Sequence, residues 1–495
     1  MSVLGSHHLA YRVAVHRNCV HNQYASLSLR HIVDRTYIAF NHREFKTTKQ
    51  YLLTLYNSID NNLHPYPLNT LPKYYSGSKR KVYERALEDI YIQGFDRKWA
   101  NVSMFVKPDK IPLAEVGTKA PRAIQYRRPH FNLLMARFLR PIEHAVYQYE
   151  EHGHRVFAKG RNLQERAADI LAIHSRFKDP VVIECDHSKF DSCVRVEHLK
   201  LCHWFYKKFF KSRTLHKLLR CQIHNKGRTA GGLRYRVTGT RMSGDFDTAL
   251  GNSLINYVVL KYYTRTTDAS LYIDGDDSLI FVERTALSKL QFADFEKMGF
   301  ETKIKFTSLI EAEFCQAHVI RSDPPILVRN PLRVISHMLV CLKKFGAKTW
   351  PQLLQGKFIC EYMAHQGVPY MQEYFKSLIT GDKFRIPDED MIRWINVRQH
   401  LVGRPTDQAY ADFYTAFQFG PELQILLNDP TGFVRTVKLG TCHVLESSSI
   451  SLQGKGYESL HCSPSLRCRT GCPCTRAASR QCDTVVLRPK AHAPV

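Results

Sequence analysis

The acidic tetrapeptide Asp-Gly-Asp-Asp at residues 274–277 lies between two short runs of apolar, β-forming residues, at 271–273 and 278–282. Such runs on either side of an Asp-Gly pair are typical of a β-hairpin with a tight turn. Carboxylates at the tip of a rigid hairpin are costly to desolvate unless a cation pairs with them. Hard oxygen ligands suit Mg²⁺ or Mn²⁺, and Mg²⁺ commonly brings a phosphate-bearing substrate. The tetrapeptide therefore predicts a divalent-cation site, provided that further acids converge on it.

A second pair of carboxylates follows a strand-like apolar run at residues 181–185. Asp186 ends that run, and Asp191 comes just before a segment whose apolar residues recur with helical spacing. The ends of buried strands are where sheets usually place ligands, so Asp186 is a candidate metal ligand. Taken singly, Asp186 also fits a turn residue at a strand end, and Asp191 also fits a helix N-cap.

A third polar segment combines a small, flexible loop with a helix that carries hydrogen-bonding side chains at every fourth position. Ser243 and Gly244 form the loop, and Thr248, Asn252 and Asn256 share one helix face. An asparagine on this face can donate to and accept from a sugar hydroxyl, which a nearby carboxylate can also contact. In isolation the same residues also fit an N-capped helix with a solvent-facing polar side.

Together these segments resemble the catalytic motifs A, B and C of viral RNA-dependent RNA polymerases, and most specifically those of the tombusvirus-type replicases of positive-strand RNA viruses. Motif A falls on Asp186 and Asp191, motif B on residues 243–252, and motif C on residues 275–277. The order of the motifs and the intervals of tens of residues also match. The joint match is far more specific than the Gly-Asp-Asp tripeptide alone.

The resemblance implies two-metal nucleotidyl transfer from NTPs in the replication of a viral RNA genome. Asp186, Asp276 and Asp277 would hold Mg²⁺, or Mn²⁺ in its place, and would form the catalytic centre. Asp191 and Asn252 would check the ribose 2′-hydroxyl, because a substrate that lacks this group would leave buried polar groups unpaired.

Family position also implies roles for basic residues and for the motif B loop. Lys303 is the candidate proton donor to pyrophosphate, with Lys305 as the alternative. Arg122 and Arg127, with Lys107 and Lys119, would neutralise the charge of the triphosphate. Arg128 is a substitute for Arg127 in this role, because Tyr-Arg-Arg at residues 126–128 replaces the more usual Pro-Arg-Ser of the family's basic fingers motif. The substrate-binding candidates outside the ribose pair are Ser243, Gly244, Thr248, Lys107, Lys119, Arg122, Arg127 and Arg128.

The fold expected from the same resemblance is an α+β right-hand polymerase with fingers, palm and thumb and an antiparallel palm sheet. Residues 1–178 would form N-terminal fingers, and residues 179–335 a palm with a fingers insertion near 211–238. The helical pattern of residues 336–436 would form the thumb. Residues 437–495 are rich in Ser, Pro, Gly and Arg, and their six cysteines lack the paired spacing of a zinc ribbon. We expect this tail to be basic and disordered.

The charge of the chain agrees with the RNA partner that the resemblance implies. The chain has 71 Lys and Arg against 45 Asp and Glu, a net charge of +26, which favours a polyanion such as a single-stranded RNA template and the nascent RNA. No run of the sequence approaches the ~20 apolar residues that span a bilayer. We therefore expect a chain of the host cytoplasm, brought to a membrane-associated replication complex by a membrane-anchored viral replication protein, as the family implies.

Two other classes of function stay open. A reverse transcriptase would share the metal site, but it typically carries a bulky residue in place of Asn252 and a small apolar residue or Met in place of Gly275. A non-catalytic RNA-binding replicase subunit would tolerate loss of the acids, yet all of them are present.

Overall fold

The computed structural model describes most of the chain up to residue 422. The described residues are 2–3, 13–112, 115–338, 340–341, 346–381, 383–385 and 401–422.

Within these ranges short strands alternate with helices. The strands are β1 (Ser2–Val3), β2 (Val13–Val15), β3 (Val102–Val106), β4 (Lys110–Pro112), β5 (Ala123–Tyr126), β6 (Glu150–Glu151), β7 (His154–Arg155), β8 (Pro180–His187), β9 (His224–Thr229), β10 (Arg234–Thr238), β11 (Ala269–Asp274), β12 (Asp277–Glu283), β13 (Thr302–Thr307), β14 (Ala317–Ile320), β15 (Ile326–Arg329) and β16 (Val340–Cys341).

The α-helices in the same ranges are α1 (Val20–Ser26), α2 (His42–Thr47), α3 (Lys49–Ser58), α4 (Gly77–Gln93), α5 (Pro129–Val146), α6 (Leu163–His174), α7 (Phe190–Cys193), α8 (Val196–Phe209), α9 (Arg213–Arg220), α10 (Thr248–Tyr263), α11 (Ala293–Lys297), α12 (Pro331–Met338), α13 (Trp350–Ala364), α14 (Met371–Ser377) and α15 (Asp407–Phe417). One π-helical turn, Leu27–His31, follows α1, and short 3₁₀ segments cover Leu68–Tyr74, Arg97–Ala100, Arg284–Lys289 and Ala347–Thr349.

The sheet that carries the predicted acids has the strand order β11-β12-β8-β13, and all its neighbouring strands are antiparallel. Its inner strands are apolar on both faces because both faces are covered. Ile183 and Ile280 pack into the core cluster that contains residues of α5, α8 and α10. Val182 and Phe281 point the other way, into a cluster with residues of α6. Side chains that alternate between two cores explain why these strands are continuous apolar runs.

The predicted hairpin at the acidic tetrapeptide is confirmed. β11 and β12 pair with Asp274 opposite Asp277, which leaves Gly275 and Asp276 as the turn. Gly275 has φ of +72°, a backbone conformation that favours glycine. Helix α10 holds this turn, since the Asn256 side-chain amide donates to the carbonyl oxygens of Gly275 and Asp276, both at 3.1 Å.

A second four-stranded sheet joins distant parts of the chain in the order β10-β9-β3-β5. The β9–β10 hairpin comes from the segment near 211–238 and pairs through β9, in parallel, with β3. The strands of this predicted insertion thus belong to the same sheet as strands of the N-terminal region. The domain boundaries themselves stay a prediction.

Another core cluster joins the strands β14 and β15 to helices that follow them in the chain. β14 and β15 form an antiparallel hairpin. Ile320 and Val328 from this hairpin pack against Phe375 of α14 and Phe413 of α15. The predicted thumb is described only in part, and the tail at 437–495 lies outside the described residues.

The described chain is thus a mixed α/β fold with several small sheets. Helices that are long and apolar enough to cross a bilayer do not occur in the part that the structure describes.

Candidate active site

The acids of the predicted metal site line one open cavity of about 840 Å³. Asp186 lies near the end of β8, and Asp276 and Asp277 lie at the tip of the β11–β12 hairpin. Strand β12 pairs with β8 so that Ser278 is opposite Cys185, which puts Asp277 one residue further along, on the side of Asp186. Acids that are about ninety residues apart in the chain therefore meet through strand pairing.

The carboxylates at the hairpin tip repel one another in a desolvated cleft, and a bound cation would relieve that repulsion. Desolvation in the cleft, with repulsion from Asp276 and then Asp274, raises the pKa of Asp277 to about 6. Desolvation is also the main cause that raises the pKa of Asp276, and Asp186 adds to it. A set of carboxylate oxygens that repel one another fits Mg²⁺ or Mn²⁺ in kind. Across the described ranges, however, no three His, Cys, Asp or Glu side chains are grouped closely enough to form a ready metal site.

Asp274, the first acid of the tetrapeptide, is already neutralised by two cations. Lys159 Nζ and Arg166 Nη2 each lie 2.7 Å from one of its carboxylate oxygens. Burial alone would raise the pKa of Asp274, but these two cations hold it below its usual value. Asp274 thus anchors the base of the turn. No local motif in the sequence marks Lys159 and Arg166, which lie more than a hundred residues from Asp274 along the chain.

The predicted ribose-checking pair, Asp191 and Asn252, forms a direct hydrogen bond. Asn252 Nδ2 on α10 donates to Asp191 Oδ1 on α7 at 2.7 Å, and both residues line the cavity. Burial raises the pKa of Asp191 to about 6, and the Asn252 hydrogen bond opposes that rise. The structure therefore brings together the two residues that the sequence assigns to the sugar, while that assignment itself stays a prediction.

The motif B loop is joined closely to strand β5. Ser243 Oγ accepts from the Gln125 main-chain N at 3.1 Å, and Gly244 N donates to the Gln125 carbonyl at 2.7 Å. A Cβ atom on Gly244 would lie 2.6 Å from the Tyr126 Cβ, so only glycine allows this approach. The Thr248 hydroxyl donates to carbonyl groups of its own loop. Ser243 and Thr248 line the cavity, but their hydroxyls also shape the loop.

One wall of the cavity is strongly basic. Lys107, Lys119 and Arg122 all line it, as the sequence predicts, and Asp109 partly neutralises Lys107 at 3.0 Å and Arg122 at 3.5 Å. Arg30, which no sequence motif marks, joins this wall from the turn after α1. Burial and then repulsion from Arg122 lower the pKa of Arg30. An anion that entered here would relieve this repulsion.

The structure places Arg127, an expected triphosphate contact, away from the cavity. Its side chain is fully buried and lies outside the cavity lining, with Nε 2.7 Å from Asp245 Oδ1 and Nη2 2.6 Å from Asn225 Oδ1. The alternation of side chains along β5 continues to this position and turns Arg127 inward, where Asp245 neutralises it. Arg128, its predicted substitute, is exposed just before α5 and also lies outside the cavity lining.

The two predicted proton donors lie on the edge strand β13. Lys303 is directly opposite Asp186 in the register, but its side chain is exposed and is not part of the cavity lining. Lys305 forms an ion pair with Glu184 at 3.0 Å. The backbone thus places Lys303 beside the acids, and its role as a proton donor stays a prediction.

Comparison with known proteins identifies clear relatives. The sequence matches the family described as viral RNA dependent RNA polymerase over residues 3–426. It is 35% identical over 284 residues to the RNA-directed RNA polymerase of Tomato bushy stunt virus (strain Cherry), which covers 54% of this chain and 35% of that protein. It is 30% identical over 407 residues to that of Tobacco necrosis virus (strain A), covering 77% and 55%. For Groundnut rosette virus (strain MC1) the identity is 28% over 453 residues, covering 82% and 53%. The chain spans about half the length of these relatives, or less.

Arg127→Ala should lower the free energy of unfolding by about 3–5 kcal/mol, because it leaves the buried Asp245 carboxylate without its partner. The matched change Arg122→Ala removes an exposed guanidinium and should alter the same quantity by less than about 0.5 kcal/mol. Urea unfolding followed by circular dichroism measures both. Equal losses in the two variants would show that Arg127 does not hold the fold in this way.

Asp277→Asn should stabilise the metal-free chain near neutral pH. The pKa of Asp277 is about 6 in the folded state against 3.8 as the ordinary value, so stability falls as pH rises through this interval and the ionised group is unfavourable above it. We expect a gain of about 1 kcal/mol, reduced from the full linkage value because the carboxylate faces solvent in the cavity. Unfolding midpoints in the presence of a chelator measure it. A gain of equal size at about pH 4, where the group is largely protonated, would contradict this origin.

Proposed function

The chain belongs to the viral RNA-dependent RNA polymerase family, and on this premise we propose that it catalyses RNA-directed RNA synthesis for a positive-strand plant virus. The observation that carries the proposal is the shared cavity. Asp186, Asp276 and Asp277 line it together with the hydrogen-bonded Asp191–Asn252 pair, beside a wall of basic residues. This cavity combines carboxylates, a hydrogen-bonding pair that can contact a sugar hydroxyl, and cations. Such a set suits a nucleoside triphosphate substrate better than it suits a site that only binds RNA.

In the proposed reaction the 3′-hydroxyl of the growing RNA attacks the α-phosphorus of the NTP, and pyrophosphate leaves. Asp186, Asp276 and Asp277 would hold Mg²⁺ or Mn²⁺. When bound, a pair of such ions supplies Lewis-acid assistance to the attacking hydroxyl and to the leaving pyrophosphate. Lys303, which the register places opposite Asp186, is the proposed donor of a proton to pyrophosphate.

The basic wall orients the triphosphate. Arg122 presents a planar guanidinium that can grip two phosphate oxygens, and Lys107, Lys119 and Arg30 add charge around it. These cations bring the α-phosphorus toward the acids and offset the charge of three phosphates. Because their repulsion is only partly compensated by Asp109, binding of the anion is favoured.

The ribose is recognised by Asp191 and Asn252. The Asp191 carboxylate can accept a hydrogen bond from a 2′-hydroxyl, and the Asn252 amide retains a second N–H donor after its bond to Asp191. A 2′-deoxy substrate would leave these groups desolvated without a partner, which lowers its reactivity relative to the NTP.

The wider architecture that we propose follows the family. The β11-β12-β8-β13 sheet would be the palm of a right-hand polymerase, and the β10-β9-β3-β5 sheet would belong to the fingers. Residues 336–436, which include α13–α15, would form the thumb. The proposed partners are an RNA template, nascent RNA and a membrane-anchored viral replication protein, in a membrane-associated complex of the host cytoplasm. Only membership of the family supports the replication protein as a partner and the membrane-associated complex as the location.

Asp276→Asn should lower NTP incorporation on a short single-stranded RNA template by about 10³-fold or more in either Mg²⁺ or Mn²⁺, because the proposed metal site loses a carboxylate. Asp60→Asn, an exposed acid away from the cavity, should match the parent chain. Equal incorporation by the Asp276→Asn variant and the parent would sink the catalytic proposal. Incorporation of dNTPs in preference to NTPs would favour a reverse transcriptase instead.

Arg122→Ala should raise the KM for NTP by about tenfold and lower kcat less, since the lost contacts hold the triphosphate in both ground and transition states. Arg284→Ala provides the control, because this exposed arginine pairs with Asp179 outside the cavity. Steady-state incorporation at varied NTP concentration separates the two constants. An unchanged KM in the Arg122→Ala variant would remove Arg122 from the triphosphate site.

A further inference from the structure

Arg241 is a buried arginine that contacts both halves of the Asp191–Asn252 pair. Its Nε donates to Asn252 Oδ1 at 3.3 Å, and its main-chain N donates to the Asp191 carbonyl oxygen at 2.8 Å. Its Nη1 donates to Asp247 Oδ2 at 2.7 Å, and only 1% of its side chain is exposed. The guanidinium is thus held in a single orientation between the acid that compensates it and the amide of Asn252.

The chemistry of these groups determines which way the Asn252 amide points. An arginine side chain has donors and no acceptor, so Asn252 must present its oxygen to Arg241. The amide nitrogen then faces Asp191, whose ionised carboxylate accepts and cannot donate, at 2.7 Å. With both neighbours in place, the reversed amide would oppose donor to donor and acceptor to acceptor. Without Arg241, the amide oxygen loses its donor and the amide can turn away from Asp191.

Helix α10 and the polar groups around Asp247 enclose this guanidinium. A Cβ atom on Gly251 would lie 2.1 Å from Arg241 Nη2, so the absence of a side chain there makes the room. Asp247 is held in turn by Gln222 Nε2 at 2.7 Å and by the Tyr206 hydroxyl at 3.2 Å. Burial would raise the pKa of Asp247, but Arg241 and Gln222 hold it below its usual value, so the acid stays ionised.

We propose that Arg241 is a positioning residue for ribose selection, which fixes the Asn252 amide against Asp191 and so determines how strongly an NTP is preferred to its 2′-deoxy counterpart. The inference rests on the proposed function and deepens it. Arg241 is not part of the cavity lining, so it acts through Asn252 and not on the substrate directly.

The test compares an NTP with the dNTP of the same base in primer extension by the full chain. Arg241→Lys keeps a positive charge next to Asp247 but replaces the planar guanidinium, whose Nε and Nη1 contact Asn252 and Asp247 separately, by a single nitrogen on a flexible stem. It should lower the NTP/dNTP ratio of kcat/KM by about tenfold or more, with dNTP use changed by less than about threefold. Asn252→Ala should lower the ratio at least as much. If Arg241 acts through Asn252, adding Arg241→Lys to Asn252→Ala should change the ratio by less than about twofold.

Arg127→Lys is the matched control. Arg127 is as buried as Arg241 and pairs with Asp245, which shares the Gln222 amide with Asp247. This variant should lower the midpoint of thermal unfolding but leave the ratio within about twofold of the parent, since it does not reach Asn252.

Gly251→Ala carries the test if Arg241→Lys fails to fold, because the added methyl displaces the guanidinium without removing its charge, and alanine suits a helix better than glycine. Its expected effect is the same fall in the ratio. Three outcomes would overturn the inference. The NTP/dNTP ratio could stay unchanged in folded variants, or kcat/KM could fall equally for NTP and dNTP. In the double variant, the falls in the ratio from the two single changes could add. If the parent chain incorporated no NTP at all, the proposed function would fail first and this inference with it.

Discussion

The antiparallel pairing of β12 with β8 is the contact on which the candidate site depends. It brings Asp277 alongside Asp186, although each acid belongs to a separate apolar segment of the chain. The apolar residues of these strands pack on both faces of the sheet, so the register cannot slip without moving core side chains to the wrong face. Asn256 then fixes the tip of the hairpin against α10. A cluster of repelling carboxylates can persist in this position because the hydrophobic packing around it supplies the stabilisation.

The acids that hold the fold have cationic partners within the protein, whereas the acids that face the cavity repel one another. Asp274 has two cationic partners, and Asp245 and Asp247 each have a buried arginine. Asp276 and Asp277 instead repel each other at the hairpin tip, with raised pKa values. Acids that are neutralised within the protein position loops and strands, while acids that are left repelling one another are suited to bind an external cation.

The sequence predicts the local elements of this site well and its long-range partners poorly. The hairpin at 274–277 and the proximity of Asp191 and Asn252 follow from patterns of β-forming residues, helical spacing and family motifs, and the structure shows both. Motif position predicts a triphosphate contact for Arg127 but does not show which way its side chain points. Only the sheet and Asp245 reveal that it is buried. No sequence pattern marks Lys159 either, because its contact with Asp274 forms only once the segment before it pairs with β11 through Phe157 and Ile273.

The two tasks that we propose for the site are supported by different parts of the fold. The acids at the hairpin tip depend on a hydrophobic sheet, whereas the Asp191–Asn252 pair depends on polar contacts that extend through Arg241 to Asp247. Hydrophobic packing is nondirectional and tolerates small adjustments, but the orientation of an amide is set by individual donors and acceptors. Under the proposed function, a change in the polar support would therefore alter which sugar is accepted while the acids keep their positions. Selectivity for the substrate and capacity for the reaction would then be separable properties of one cavity.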